Sequence, residues 1–421
     1  MAVRQDEKTM RKETKATGRT DVLIVGAGPT GLTLAYQLKR LGVDFRIVDK
    51  NPEPSTTSKA IGLQYRVSEV LAWMGLAERF LARSATSQKV NMYVGGERIL
   101  QLKLSVLDMR GGQDAFVPRM MIIPQSETEA LLIGALEEHG GHIERGTVFL
   151  GFEQNRDRVV SRLRYPDGSE ERIESRYLVS CEGAHSIVRK QSGISFAGET
   201  YPFSFVMADV ELDWDRSHDE IYSWLHEKGT LSAGPLPGNR WRLFIEMEEG
   251  QRVPCVTLEL AQRLLAERTG DYKTHATNPT WLSEFRINSR MVDRFREGRV
   301  FLAGDAAHVH SPSGGQGITT GMQDAYNLSW KLAQVLNEGA PDSLLDTYSE
   351  ERLPIVRSVL ETTDRNTGIL FPRGRFGRLI RNAVVLPLLR RDRVQDRLVR
   401  KMSQLDMNYR GASLSVDQNA D

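Results

Sequence analysis

A chain of 421 residues exceeds the usual size of one small domain, so two or three are expected. Charged residues make up 26% with a formal net charge of +1, a balance that argues against nucleic acid as a partner. Two distant cysteines, Cys181 and Cys255, point to a reducing, cytoplasmic setting, and the longest apolar run, Ala383–Leu389, is too short to span a bilayer. Residues 1–20 mix both charge signs without an apolar stretch, which reads as a mobile tail rather than a secretory signal.

Asp21–Val25 has the pattern of a buried strand and runs into Gly26-Ala27-Gly28-Pro29-Thr30-Gly31. Leu32, Leu34, Ala35, Leu38 and Leu41 then mark a helix with one apolar face, and Phe45–Val48 makes a second strand closed by Asp49. Strand, glycine turn, helix, strand and acid together form the dinucleotide fingerprint. The glycines serve the tight turn, the approach of a pyrophosphate and helix–strand packing, and Asp49 can accept from ribose hydroxyls. The pattern alone does not separate NAD from FAD.

A polar loop over 51–58 leads to Lys59 and Arg66, either of which could neutralise a pyrophosphate or sit solvated at the surface. A helix is expected over 67–80, and strand and loop over 89–116. Gln125-Ser126-Glu127-Thr128-Glu129 opens another helix, with Ser126 as N-cap and Glu129 completing a capping box, which leaves Gln125 as a ligand contact. Strands over 148–152, 159–165 and 171–179, with a turn at Pro166-Asp167-Gly168, feed Cys181-Glu182-Gly183-Ala184-His185-Ser186-Ile187-Val188-Arg189. That acid and arginine suit a ribose and a phosphate, and a capped helix start explains them equally well.

Residues 201–250 read as antiparallel strands. Along Glu220–His226, alternation puts Tyr222, Trp224 and His226 on one face and Ile221, Ser223 and Leu225 on the other. The aromatic face is core or the lining of an apolar pocket. A helix over 255–269, a strand over 281–291, and helices over 346–365 and 377–404 follow. His308 and His310 have no third ligand nearby in sequence, so no metal is expected.

The most informative stretch is GRVFLAGDAAHVHSPSGGQGITTGMQDAYNLSWKLA, from Gly298 to Ala333. Val300–Ala303 fits a buried strand, Gly304-Asp305 stops it, and from Ile318 apolar positions recur at helical spacing. Gly314, Gly315 and Gly317 would let backbone approach a ligand where the unpaired N–H groups of a helix start favour negative charge.

Taken together, GAGPTG with Asp49, CEGAHSIVRK and the Gly298–Ala333 stretch resemble the single-component FAD-dependent aromatic hydroxylases, the p-hydroxybenzoate hydroxylase family, and within it the aromatic-polyketide and phenol hydroxylase branch. The resemblance runs from about Asp21 to Arg410. It implies an α/β fold: a split, Rossmann-like FAD-binding domain (21–88, 117–200 and 290–345), an inserted antiparallel β-sheet substrate domain (89–116 and 201–289), and a helical C-terminal segment (346–421).

By position, it also implies that Gly26, Gly28, Thr30, Gly31 and Asp49 hold the ADP half of FAD, with Lys59 near the pyrophosphate. Gln125 would lie near the ribityl chain, Gly304 and Asp305 at a ribityl hydroxyl, and Pro312 with Gly314, Gly315, Gly317 and Ile318 along the isoalloxazine. Glu182 stands where the family usually has Asp, in a segment serving FAD and NAD(P)H. Ile318-Thr319 replaces the common Leu-Asn, and the thioredoxin-like third domain of many relatives has no counterpart after the segment resembling 405–415. The implied reaction is hydroxylation of an electron-rich aromatic substrate with NAD(P)H and O₂ through a flavin C4a-hydroperoxide, with Tyr222 assisting phenol deprotonation. Epoxidation, oxygen insertion, a non-oxygenating flavin dehydrogenase and a flavin-sequestering protein stand as alternatives, and homo-oligomerisation is left open.

Overall fold

The computed structural model describes residues 14–56, 61–85, 89–104, 119–251, 253, 255–311, 315–370, 372 and 374–415. Lys59, Pro312 and Gly314 lie outside them, so the roles expected of these three have no structural counterpart here.

Two eight-stranded sheets organise the chain. In the first, Val300–Leu302, Glu170–Ser180, Thr14–Val25, Phe45–Asp49 and Ile143–Arg145 lie side by side in parallel. Val22, Leu23 and Ile24 are fully buried, as a strand covered on both faces requires. The first strand starts at Thr14, so the expected tail ends seven residues earlier than the apolar pattern indicated. Thr14–Thr20 is mostly polar in sequence and pairs with Glu170–Ser175, with a register shift between Lys15 and Gly18. Alternation therefore gave no sign of it.

The helix Pro29–Arg40 packs against the helices Gln125–Glu138 and Gly317–Asn337. The expected single helix over 67–80 is two, Tyr65–Trp73 and Ala77–Leu81, because Gly75 turns the chain at φ 75°.

The second sheet runs His308–Val309, Ala276–Val292, Phe196–Leu212, Arg240–Glu246, Gly229–Leu236, Glu220–His226, Lys89–Val94, Glu97–Lys103. The parallel pairing of Glu220–His226 with Lys89–Val94 joins the early strands to the 201–289 stretch. The helix Leu258–Thr269 covers one face. Thr257 caps its start by accepting from Leu260 N–H, and Gly270 ends it at φ 74°. Beneath it pack Val206, Ala208, Tyr222, Trp224, Trp241, Leu243 and Ile245 with Ala261, Leu264 and Leu265.

The opposite face carries Phe203, Phe205, Phe244 and Phe285. It also carries the buried pair Arg242–Asp209 and the Ser223–Ser232 hydroxyl pair at 2.8 Å. The register sets these residues on one side: Ser223 faces Ser232, Ser232 faces Phe244, and Phe244 faces Met207. This face looks toward the first sheet's unit, since a Cβ on Gly234 would lie 3.4 Å from the Ile61 side chain.

The C-terminal segment forms the helices Asp346–Leu370, Gly374–Ile380, Leu386–Leu389 and Asp392–Ser403, with a π-helical turn at Arg381–Val385. Leu386, Leu389 and Leu398 cover Met92, Leu100, Leu102 and Leu225 on the outer strands. No helix of the described residues is long and apolar enough to cross a membrane.

Candidate active site

The register of the first sheet brings three expected segments to one edge. Val25 pairs with Ser180 and Ser180 with Leu302, all in parallel, so Gly26, Cys181-Glu182 and Ala303-Gly304-Asp305 leave the strands side by side. The carboxyl edge of a parallel sheet is where such folds bind ligands.

The first turn shows why each glycine is there. A Cβ on Gly31 would collide with the Gly26 carbonyl, and one on Gly26, at φ 104°, with the Cys181 carbonyl. Both are demanded by close packing. Gly28 differs: among the described residues a Cβ there meets nothing within 4 Å, and Gly28 is the N-cap of a helix whose first N–H groups receive no side-chain cap from them. An open cradle of unpaired donors at a helix start is an anion site. Asp49 closes its rim, accepting from Ala27 N–H at 2.7 Å and Asn51 N–H at 2.8 Å, one bond on each oxygen, which leaves lone pairs for hydroxyl donors. Thr30 packs where a Cβ on Gly304 or Gly321 would clash, so it ties the first helix to the later turn.

That later turn, Gly304–Ala306, is held by a buried acid absent from the sequence-derived site. Asp324 accepts from Gly304 N–H at 3.0 Å, from His308 Nε2 at 2.7 Å and from Arg352 Nε at 2.7 Å. Burial opposes its ionisation, but Arg352 and His308 more than offset that and hold its pKa below the usual range. His308 is thus part of an acid–base cluster. Asp305 itself is exposed on the turn. Gly315 takes φ 60°, Gly317 is the first residue of the Gly317–Asn337 helix, and Ile318 is half-buried beside it. His310 donates from Nδ1 to the Ser311 carbonyl at 2.8 Å, and burial pushes its pKa down to about 4, so its ring is neutral.

Three expectations need correction. The capping box at Ser126 does not form: the helix begins at Gln125 with Pro124 as N-cap and no side-chain cap. Proline fixes the entry, and Glu129 instead accepts from Gln125 Nε2 at 2.8 Å, one helical turn away, with burial raising its pKa. Gln125 therefore lies in the first turn with its amide engaged. Glu182 spends its carboxylate on the short helix Ile187–Gln191, accepting from Val188 N–H at 3.1 Å, Ile187 N–H at 3.3 Å and the Ser180 and Ser186 hydroxyls. This is the capping alternative read from the sequence.

Tyr222 lies in the core under Leu258–Thr269, on the sheet face turned away from Gly234. Its hydroxyl donates to the Ser217 carbonyl at 3.2 Å, and burial raises its pKa to about 12, which favours the protonated hydroxyl at neutral pH. The residue that sequence reasoning missed on the other face is Arg242. It is 3% exposed and bidentate to Asp209 at 2.7 Å, with Nη1 lacking a partner among the described residues. Alternation within Arg240–Glu246 could have singled it out as a charge flanked by apolar neighbours.

The model of the FAD binding domain family matches residues 19–363. The chain belongs to the FAD binding domain family.

Within it, this chain is 37% identical over 405 residues to a flavin-dependent monooxygenase of Mycobacteroides abscessus, covering 94% of this chain and 80% of that protein. The solved anhydrotetracycline hydroxylase from Streptomyces rimosus is 34% identical with a TM-score of 0.76, over 93% of this chain and 77% of that one. A ternary complex of aklavinone-11 hydroxylase with FAD and aklavinone is 29% identical with a TM-score of 0.75, over 84% and 69%. The chain is a FAD-dependent monooxygenase. The residues present fit FAD on their own chemistry: the cradle at Gly28 suits its pyrophosphate, the remaining lone pairs of Asp49 suit ribose hydroxyls, and the glycine-lined start of Gly317–Asn337 suits a ring edge that gains negative charge on reduction.

Proposed function

We propose that this monooxygenase hydroxylates a bulky, electron-rich aromatic substrate, phenolic or polyketide-like, with NAD(P)H as reductant and O₂ as the oxygen donor. When bound, FAD supplies oxygen activation and transfer, and the protein supplies position, dipole and exclusion of water. Residues 21–88, 117–200 and 290–345 serve the cofactor, while 89–116 and 201–289 cover the substrate. Lys59, Pro312 and Gly314 keep the places at the pyrophosphate and ring that the family pattern gives them, and a cytoplasmic location accords with the free cysteines.

The observation that carries the substrate class is the sheet face opposite the tryptophan core. Phe205 stacks on Phe244 and Phe285, and the latter two meet at a tilt, with centroids 4.4–5.8 Å apart, an apolar cluster suited to fused or substituted rings. Arg242 on the same face is already neutralised by Asp209, and its unpartnered Nη1 suits a phenolic or carbonyl oxygen better than a free carboxylate. The anhydrotetracycline and aklavinone hydroxylases, whose substrates by name are polycyclic, support this reading.

The test uses the FAD-loaded protein with anhydrotetracycline and simple phenols as probes. A productive probe accelerates NAD(P)H oxidation and gains one oxygen, labelled under ¹⁸O₂ and unlabelled under H₂¹⁸O. Label from water, or oxidation without oxygen gain, would overturn the assignment of the reaction.

A further inference from the structure

The start of the Gly317–Asn337 helix is held by a residue far along the chain. Gln404 ends the Asp392–Ser403 helix at φ 62° and is 1% exposed. A non-glycine residue in left-handed conformation persists where its surroundings impose it, and here its side chain is the imposed group. Its Oε1 accepts from Gln323 Nε2 at 2.6 Å, and its Nε2 donates to Gln316 Oε1 at 2.9 Å and to Thr320 Oγ1 at 3.2 Å.

Hydrogen bonding fixes which way the amides point. The Thr320 hydroxyl gives its only proton to the Gln316 carbonyl at 2.9 Å, so its oxygen accepts from Gln404. Gln404 must then present Nε2 to Gln316, and Gln316 must answer with Oε1. The Gln316 Nε2 is left outside this latch, buried and without a partner among the described residues. Gln316 is the N-cap of the helix, immediately before Gly317. Among the described residues a Cβ on Gly317 would meet only His310 Nε2, at 3.9 Å, and that nitrogen is likewise buried and unpartnered there. A buried donor with no acceptor is costly unless a bound group supplies one.

We propose that Gln404 is a positioning residue that turns the Gln316 carboxamide so that its Nε2 donates to a carbonyl oxygen of the FAD ring system. This rests on the FAD assignment above and extends it to the C-terminal segment. A donor on a flavin carbonyl favours the reduced state, because that oxygen gains negative charge on reduction.

The experiment measures FAD dissociation by fluorescence titration of the FAD-free protein, the flavin midpoint potential by dye equilibration, and the melting temperature of the FAD-free protein. Gln316→Glu keeps an oxygen for Gln404 but replaces the donor with an anionic oxygen. Gln404→Glu can only accept from Gln316, so it draws Nε2 into the latch. Both are expected to lower the midpoint potential and weaken FAD binding by about tenfold, with a lower FAD-free melting temperature because each buries a carboxylate; the fall in potential is the readout that a merely structural role would not move. Gln404→Leu and Gln316→Leu are expected to weaken FAD binding as well, with some loss of melting temperature. Unchanged potential and affinity in both glutamate variants would reduce the latch to a structural role and overturn the proposal. Wild-type protein that binds no FAD would overturn the cofactor assignment itself, an outcome visible before any variant is compared.

Discussion

The two faces of the second sheet are made by the same strands and do different work. Under the helix Leu258–Thr269, Trp214, Tyr222, Trp224 and Trp241 pack with centroids 4.9–6.3 Å apart. On the other face, the Phe205 cluster shares the surface with paired serines and a buried guanidinium that keeps one donor free. Richness in aromatic residues is therefore a poor guide to a substrate pocket. The covered face packs ring against ring beneath its own helix, whereas the open face sets a paired guanidinium and paired hydroxyls beside its rings, the mixture a ligand pocket uses.

Cutting into the covered face tests this contrast most severely. Trp241 is 1% exposed in the middle of that core, so Trp241→Ala should cost about 3–5 kcal/mol in a denaturant titration. A loss below about 1 kcal/mol would mean the face is not a packed core. Arg242→Met probes the open face. Removing the unpartnered donor should raise the KM for a hydroxylated probe by about tenfold, with kcat changed less, in steady-state assays. An unchanged KM would detach Arg242 from the substrate.

Tyr222→Phe sharpens the comparison from the quiet side. It removes one hydroxyl proton shared between the Ser217 carbonyl at 3.2 Å and Glu220 Oε2 at 3.4 Å, both long contacts, so the stability change should stay within about 1 kcal/mol. Because burial raises the Tyr222 pKa to about 12, the hydroxyl stays protonated through neutral and mildly alkaline pH. The variant should therefore leave the pH profile of kcat/KM between pH 7 and 9 unaltered, and loss of an alkaline limb there would return Tyr222 to the chemistry.

What the sequence disclosed was local. The glycine turn, the helix beginning at Pro29, Asp49 and the Gly304-Asp305 turn all follow from spacing within a few dozen residues, and the structure places them at one sheet edge. What it hid depends on distant partners. Alternation sorted Tyr222 from Ser223 correctly, but only the helix Leu258–Thr269 decides which face is closed. Arg242 finds Asp209 across 33 positions, and Gln404 finds Gln316 across 88. Glu182 shows the converse: a ligand role and a capped helix start share one pattern, and the bonds from Ile187 and Val188 show the helix-start contacts. Ser126 was misread because Pro124, two residues earlier, already sets the helix entry.

Arg66 donates to the carbonyls of Gln404, Leu405 and Met407, joining positions about 340 apart in the chain. On a ribosome, the helix carrying Arg66 emerges long before those carbonyls exist. The cofactor cradle at Gly28 is thus translated early, while the brace at the other end of the site arrives only after some four hundred residues. A ligand that binds only the folded form stabilises it by mass action, so FAD bound between these two ends would hold the first and last parts of the chain together.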